Sequence, residues 1–144
     1  MGSRERVFTI LVVEDHGLIA SEFGDAIQRH GGRVLGPAAR VSEALALIEA
    51  AECDGALLDI TLRCGETAYP VADRLHAKGI PFAFVTGWEG DFGDPYGDTP
   101  VLRKPFGVTE LDSCLRMLID RMLHPRENRG EAAWQPSTRA MLSE

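Results

Sequence analysis

The sequence predicts an α/β protein with a doubly wound, five-stranded parallel sheet. Short, continuously apolar segments alternate with longer segments whose apolar residues recur at helical spacing. Continuous apolar strands are typical of parallel sheets that helices cover on both faces. The length of 144 residues fits one domain with a substantial core. We expect this domain to span residues 7–123, followed by a C-terminal tail over residues 124–144 that is too short to be a second domain.

Five apolar segments predict the strands. The first, Val7 to Val13, is rich in β-branched residues and indicates a strand buried on both faces. The second segment, "RVLGPA" from Arg33, predicts a weaker strand. The others are "GALLDI" from Gly55, "IPFAFVT" from Ile80 and "PVLR" from Pro100.

Helices are predicted where apolar residues recur every three or four positions. The stripes comprise Leu18, Ile19, Phe23, Ala26 and Ile27; Val41, Ala44, Leu45, Ile48 and Ala51; Ala68, Val71, Ala72 and Leu75; and Leu111, Leu115, Leu118 and Met122. We expect the last helix to run from Val108 to Leu123, with Thr109 and Asp112 resembling a capping box. A fourth helix, within residues 87–98, is predicted to be degenerate because four glycines and a proline lower helix stability there.

Composition restricts the class of protein. The net charge of −7 argues against a nucleic-acid partner, which would require a basic surface. No apolar segment is long enough to span a bilayer, and the N-terminus lacks a signal peptide, so we expect a cytoplasmic protein without a membrane partner. Cys53, Cys64 and Cys114 lack metal-site spacing, and we interpret Cys53 and Cys114 as small apolar fillers.

Polar residues follow four of the five predicted strands. Glu14 and Asp15 follow the first strand, and Asp59 ends the third. Thr86 ends the fourth strand, and Lys104 follows the fifth. Ligands of open parallel sheets bind beyond the carboxyl ends of the strands, so we expect these side chains to share one edge.

This set of side chains indicates phosphoryl chemistry. Three carboxylates in a small site repel one another unless a cation is present, and an oxygen-rich site of this kind suits Mg²⁺. A metal ion, the Lys104 ammonium and the Thr86 hydroxyl together stabilise the charge of a phosphoryl group. A carboxylate in the centre of the site can act as the nucleophile and form an aspartyl phosphate.

From about Phe8 to Leu123 the chain resembles a response regulator receiver domain of two-component signalling. "VVEDH" is similar to the family's acidic pair, "LLDITL" to its phosphoacceptor strand, "VTG" to its hydroxyl position and "KPF" to its lysine position. The resemblance implies a flavodoxin-like strand order, 2-1-3-4-5. It also implies Mg²⁺-dependent transfer of a phosphoryl group from a phosphohistidine donor to Asp59, with Thr86 and Lys104 assisting.

The resemblance further implies the ligands of the metal ion. Asp15 and Asp59 would bind Mg²⁺ directly with the backbone carbonyl of Thr61, and Glu14 would act mostly through water. The Lys104–Pro105 peptide bond is implied to be cis. The domain would catalyse only its own phosphorylation and dephosphorylation and is not otherwise an enzyme.

Two departures from the family pattern carry a further hypothesis. Arg63 stands near the position where most receivers have proline, and Val101 stands where most have an aromatic switch residue. "FVTGW" resembles the FATGUY subgroup, whose members are often stand-alone regulators paired with a particular class of histidine kinases. We hypothesise that Trp88 takes the role that Val101 cannot, and that residues 87–98 rearrange when Asp59 is phosphorylated.

The implied partners are a histidine kinase or phosphotransfer protein and an unidentified downstream protein. The first helix is the implied kinase-docking surface, and the last helix is a candidate for docking or homodimerisation. The domain would switch partner binding or serve as a phosphate shuttle or sink.

Two alternatives stay open. One is a pseudo-receiver that binds partners without phosphorylation, and the other is a hydrolase of the haloacid-dehalogenase type, which needs an Asp where Thr61 stands.

Overall fold

The computed structural model describes residues 7–63, 65–87 and 97–124. Its elements are β1 Thr9–Val13, α1 Gly17–Arg29, β2 Arg33–Ala38, α2 Val41–Ala50, β3 Gly55–Asp59, α3 Tyr69–Ala77, β4 Phe82–Thr86, β5 Val101–Arg103 and α4 Val108–Leu123. The strands form one parallel sheet in the order β2-β1-β3-β4-β5. The predicted fold class and the flavodoxin-like strand order are therefore confirmed.

Both faces of the sheet are covered, because successive side chains of a strand point to opposite faces. Leu11 and Val13 of β1 belong to the apolar cluster beneath α2 and α3. Ile10 and Val12 belong to the cluster beneath α1 and α4. All four side chains are fully buried, as the continuous apolar segment predicts.

The edge strand β2 contains a break in its pairing that bears on the site. Its register with β1 shifts between Leu11 and Val13, opposite Gly36 and the cis-bonded Pro37. Proline is tolerated here because β2 lies at the edge of the sheet. Gly36 has φ 99°, and a Cβ on it would lie 3.0 Å from the carbonyl oxygen of Val12. Beyond this break, the carbonyl of Ala38 accepts a hydrogen bond from the Glu14 amide at 2.9 Å, which ties the start of the site to the edge strand.

Several predicted boundaries and faces differ from the structure. β1 begins at Thr9 rather than Val7, because pairing with β2 starts there and Val7 is 46% exposed. β4 begins at Phe82 rather than Ile80, at the first residue paired with β3. Leu18 is 70% exposed, so it does not belong to the buried stripe of α1.

The predicted capping box of α4 is wrong. The N-cap residue is Gly107, whose amide donates a hydrogen bond to Glu110 Oε1 at 2.9 Å. Asp112 instead lies 2.9 Å from a guanidinium nitrogen of Arg29 and 3.1 Å from His30 Nε2. Its carboxylate therefore bridges the end of α1 and the start of α4.

The cysteines of the described ranges are free thiols. Cys114 is buried in the cluster beneath α1 and α4, and Cys53 is partly buried, with its Sγ donating to the Gly55 carbonyl at 3.2 Å. Burial raises the pKa of each thiol to about 11. Both cysteines are therefore protonated and unreactive near neutral pH.

Several predictions fall on residues outside the described ranges. They include Cys64, most of the degenerate fourth helix with Trp88, and the tail from residue 125 onward. The hypothesis of a switching segment and the proposed boundary of the tail therefore stay predictions. Of the helices that the structure describes, none has the length and apolar content needed to cross a membrane.

Candidate functional site

Three carboxylates converge where β1 and β3 end. Val13 of β1 is paired with Leu58 of β3, so Glu14 and Asp59 follow at the same level of the sheet. Their side chains are 0% and 7% exposed. One carboxylate oxygen each of Glu14, Asp15 and Asp59 lies within 4.8 Å of the others. The structure thus brings together the acidic residues that the sequence singled out.

Lys104 reaches the same cluster from the end of β5. Its Nζ lies 3.4 Å from Asp59 Oδ2 and 3.6 Å from Glu14 Oε1. Its amide donates a hydrogen bond to the Thr86 carbonyl at 2.8 Å, which holds the segment after β5 against β4. The Lys104–Pro105 peptide bond is cis, as the resemblance implied.

Thr86 is the buried last residue of β4. The register pairs Val85 with Asp59 of β3 and Thr86 with Arg103 of β5. Thr86 therefore lies at the sheet edge between the strand of Asp59 and the strand that precedes Lys104. All the side chains predicted to carry chemistry share this edge.

The electrostatics of the site favour a bound cation. Burial, followed by the charge of Asp59, raises the pKa of Glu14 to about 7, and the Lys104 ammonium opposes this shift. Burial likewise raises the pKa of Asp59, although Lys104 lowers it. Glu14 Oε2 accepts the His16 amide at 3.1 Å, whereas the buried Glu14 Oε1 has no hydrogen-bond partner among the residues that the structure describes. A buried oxygen normally has a partner, so this group of carboxylate oxygens fits the ligand set of a divalent cation.

No protein-family model matches the sequence, and a search of curated proteins gives no significant match. Among solved structures, SdrG from Sphingomonas melonis Fr1 is 38% identical, with 78% of this chain and 97% of SdrG covered and a TM-score of 0.69. The BeF₃-activated conformation of SdrG is 39% identical, with 76% and 95% covered and a TM-score of 0.65. The response regulator REC domain of PhyR from Erythrobacter litoralis is 24% identical, with 88% and 97% covered and a TM-score of 0.69.

This chain belongs to the response regulator receiver domain family. It is therefore a domain of two-component signalling. The acidic cluster of the receiver domain is one that can bind a metal ion.

The chain after Asp59 adds a contact that the sequence did not predict. In this receiver domain the Arg63 amide donates a hydrogen bond to Asp15 Oδ2. Thr61, the predicted carbonyl ligand, is exposed and forms an isolated antiparallel bridge with Thr67. A backbone amide is present at every non-proline residue, so no sequence signal could have identified Arg63 as this donor.

The position of the missing aromatic switch residue lies beside aromatic residues of the receiver domain. Val101 is partly buried and is paired with Phe84 across β4 and β5. The ring of Phe84 meets Tyr69 edge-on, with centroids 6.0 Å apart, and lies 5.5 Å from the ring of Phe82. The apolar surface beside Val101 is thus formed by side chains of β4 and α3. The periodicity of a single strand or helix does not show that these side chains meet.

Proposed function

We propose that this receiver domain accepts a phosphoryl group on Asp59 in an Mg²⁺-dependent reaction. The observation that carries the proposal is the convergence of Glu14, Asp15 and Asp59 within 4.8 Å, with Lys104 Nζ 3.4 Å from Asp59. A nucleophilic carboxylate, a place for a divalent cation and a fixed ammonium are the groups that phosphoryl transfer to a side chain requires. The donor is a phosphohistidine of a histidine kinase or of a phosphotransfer protein.

Each residue has a defined task in the proposed reaction. Asp15 and Asp59 would hold Mg²⁺ directly together with the Thr61 carbonyl, and Glu14 would act through water. When bound, Mg²⁺ supplies positive charge that offsets the charge on the phosphoryl oxygens. Lys104 Nζ adds a second positive charge, and the Thr86 hydroxyl donates a hydrogen bond to a phosphoryl oxygen.

The chemical steps involve the carboxylate of Asp59. One carboxylate oxygen forms a bond to phosphorus while the bond from phosphorus to the donor nitrogen breaks, and the electron pair leaves with the imidazole. In the later hydrolysis a water oxygen attacks phosphorus, and the bond from phosphorus to the Asp59 oxygen breaks. The carboxylate is restored and inorganic phosphate leaves. The domain acts on no other substrate, so it is a switch rather than an enzyme with turnover.

Phosphorylation then switches which protein the domain binds. We infer a cytoplasmic protein that binds an unidentified downstream protein or serves as a phosphate shuttle or sink. The kinase docks on α1, and α4 is available for docking or homodimerisation. Assignment to the stand-alone FATGUY subgroup, and a switching role for Trp88, rest on the sequence "FVTGW" and stay predictions.

The proposal is tested by incubating the protein with MgCl₂ and acetyl phosphate and measuring its intact mass. We expect one labile phosphoryl adduct in the wild type and none in Asp59→Asn or with EDTA. No adduct in the wild type would favour the pseudo-receiver, and rapid turnover of diverse phosphate esters would favour the hydrolase. Because a BeF₃-activated conformation is known for SdrG, beryllofluoride provides a second probe. It should shift amide resonances in the wild type but not in Asp59→Asn.

A further inference from the structure

The segment after Asp59 is a small hairpin, formed by residues 60–63 and 65–68 of the described chain. The Leu62 amide donates to the Glu66 carbonyl at 2.9 Å, and the Ala68 amide donates to the Ile60 carbonyl at 2.9 Å. Gly65 has φ 88°, a left-handed conformation that favours glycine and reverses the chain. The hairpin is therefore held together by its own backbone.

The first strand of the hairpin, residues 60–63, has two edges. The inner edge bonds to β4 and to the return strand, and the outer edge faces Asp15. Successive residues of an extended segment direct their backbone groups to alternate sides. Ile60 donates to the Val85 carbonyl of β4 at 3.0 Å, so Thr61 is directed to the opposite side, toward β1. The contact from the Arg63 amide to Asp15 lies on that same side. Within the described part of the hairpin, the Thr61 carbonyl accepts none of the backbone hydrogen bonds that join its two strands. This carbonyl lies on the outer edge, which faces Asp15.

Glu66 fastens this hairpin to the neighbouring helix. Its Oε1 accepts a hydrogen bond from the amide of Val41, the first residue of α2, at 2.9 Å. The N-cap residue of α2, Arg40, makes no capping hydrogen bond through its side chain within the described residues. Glu43, in the first turn of α2, instead accepts the Ala39 amide at 2.9 Å. Two carboxylates thus bind the start of α2, and the one from Glu66 joins it to the hairpin.

We propose that Glu66 is a positioning residue for the metal site. By fixing the return strand of the hairpin to α2, it holds the outer edge at a set distance from Asp15. That edge carries the Thr61 carbonyl and the Arg63 amide. The inference rests on the proposed function, because the Thr61 carbonyl matters to the reaction only if it binds Mg²⁺. Partners of metal ligands are known to alter metal affinity without touching the metal ion.

The chain offers matched variants that separate this role from simple helix capping. Glu66→Ala removes both the acceptor and the charge, whereas Glu66→Gln removes the charge and keeps the acceptor. Glu43→Ala removes an equal charge and a hydrogen bond from the same helix end without touching the hairpin. In Mg²⁺-free protein, Glu66→Ala should speed amide exchange of Leu62 and Arg63 by at least about tenfold. Glu66→Gln and Glu43→Ala should leave these rates near those of the wild type.

The decisive measurement is calorimetric titration of each variant with MgCl₂ alone. Glu66→Ala should weaken Mg²⁺ binding on the order of tenfold. Glu66→Gln and Glu43→Ala should stay close to the wild type. At saturating Mg²⁺, Glu66→Ala should react with acetyl phosphate at a rate close to that of the wild type, because the nucleophile and Lys104 are unchanged.

The outcomes distinguish this inference from the proposed function. If the wild type binds Mg²⁺ and Glu66→Ala binds it equally well, the positioning role is wrong and the proposed function stands. Equal weakening in Glu66→Ala and Glu43→Ala would also overturn it, because stabilisation of α2 would then explain both. If the wild type itself binds no Mg²⁺, the proposed function fails and this inference fails with it.

Discussion

Lys104 places an ammonium 3.4 Å from Asp59 and 3.6 Å from Glu14, where both carboxylates are almost fully buried. Its charge lowers the pKa of each carboxyl group, yet burial is the larger effect, and both pKa values are raised. One lysine therefore does not offset the cost of burying the two carboxylates. The residual negative potential is what a divalent cation would neutralise.

Replacement of Lys104 should separate metal binding from reaction. Lys104→Gln removes a cation that competes electrostatically with Mg²⁺, so Mg²⁺ should bind at least about threefold tighter. The reaction with acetyl phosphate should slow on the order of 100-fold, because the phosphoryl oxygens lose a fixed positive charge. Calorimetry with MgCl₂ and intact-mass kinetics measure the two effects.

Lys78→Gln is the matched control for this prediction. Lys78 caps the end of α3 and lies 3.9 Å from Glu49, on the surface and not at the site. Its replacement should change neither the Mg²⁺ affinity nor the rate of reaction with acetyl phosphate. Weaker Mg²⁺ binding in Lys104→Gln, or an unchanged reaction rate, would contradict the role given to Lys104.

The side chains of the site could be predicted from the sequence because each follows a strand whose pattern is plain. The order of parallel strands then brings Glu14, Asp59 and Lys104 to one edge. The contact between the Arg63 amide and Asp15 could not be predicted, since it uses a backbone group. The hydrogen bond from the Val41 amide to Glu66 also escaped prediction, because its partners are 25 residues apart and the helical spacing that includes Val41 does not involve Glu66.

At the scale of elements, the start of α4 shows how a local motif can mislead. The spacing of Thr109 and Asp112 suits a capping box, but the extended backbone of Gly107, with φ −103° and ψ −178°, makes that residue the N-cap. Glu110 is therefore the carboxylate at the third helical position. Asp112 is left to bind α1, and its contacts to His30 and Arg29 hold its pKa below the ordinary value.

Substitutions at the two competing cap positions should have unequal effects. Glu110→Ala removes the acceptor for the Gly107 amide and should lower the free energy of unfolding by about 0.5–1 kcal/mol. Thr109→Ala should change it by less than about 0.5 kcal/mol, since Thr109 is an exposed residue in the first turn. Urea denaturation in EDTA measures both variants. A larger loss in Thr109→Ala would restore the capping box that the sequence suggested.

The ends of the strands could be predicted only where the apolar segment and the paired segment begin at the same residue. Val7 and Ile80 continue the apolar character of β1 and β4, but each lies before the first paired residue of its strand. Leu18 fits a helical stripe by spacing, yet the buried residues of α1 begin at Ala20, two positions later and on the opposite side of the helix. Periodicity identifies the buried face of an element, whereas its ends depend on the neighbours with which it pairs.

At the scale of the whole molecule, the site makes stability depend on pH. In the metal-free protein the pKa of Glu14 is about 7, above the ordinary value of 4.5, and that of Asp59 is shifted in the same direction. Between these pH values the folded protein keeps a proton that the unfolded chain has released. The stabilising contribution is therefore full below about pH 4.5 and is lost as the pH rises through about 7.

Neutralising Asp59 should reverse this loss. In EDTA at pH 8, Asp59→Asn should melt at least about 3 °C above the wild type, and the difference should be much smaller at pH 5. Asp25→Asn removes an equal charge at an exposed position on α1 and should show no such pH dependence. Saturating Mg²⁺ should raise the melting temperature of the wild type more than that of Asp59→Asn. A wild type that is as stable as Asp59→Asn at pH 8 in EDTA would contradict the electrostatics described for the site.

The central claim is that Asp59 is the residue that becomes phosphorylated. Protein treated with MgCl₂ and acetyl phosphate can be reduced with borohydride, which converts an aspartyl phosphate into homoserine, and then digested and mapped by mass spectrometry. The account predicts homoserine at position 59 in the wild type, dependent on Mg²⁺ and absent when either reagent is omitted. Homoserine at position 15, or at no position despite bound Mg²⁺, would contradict it.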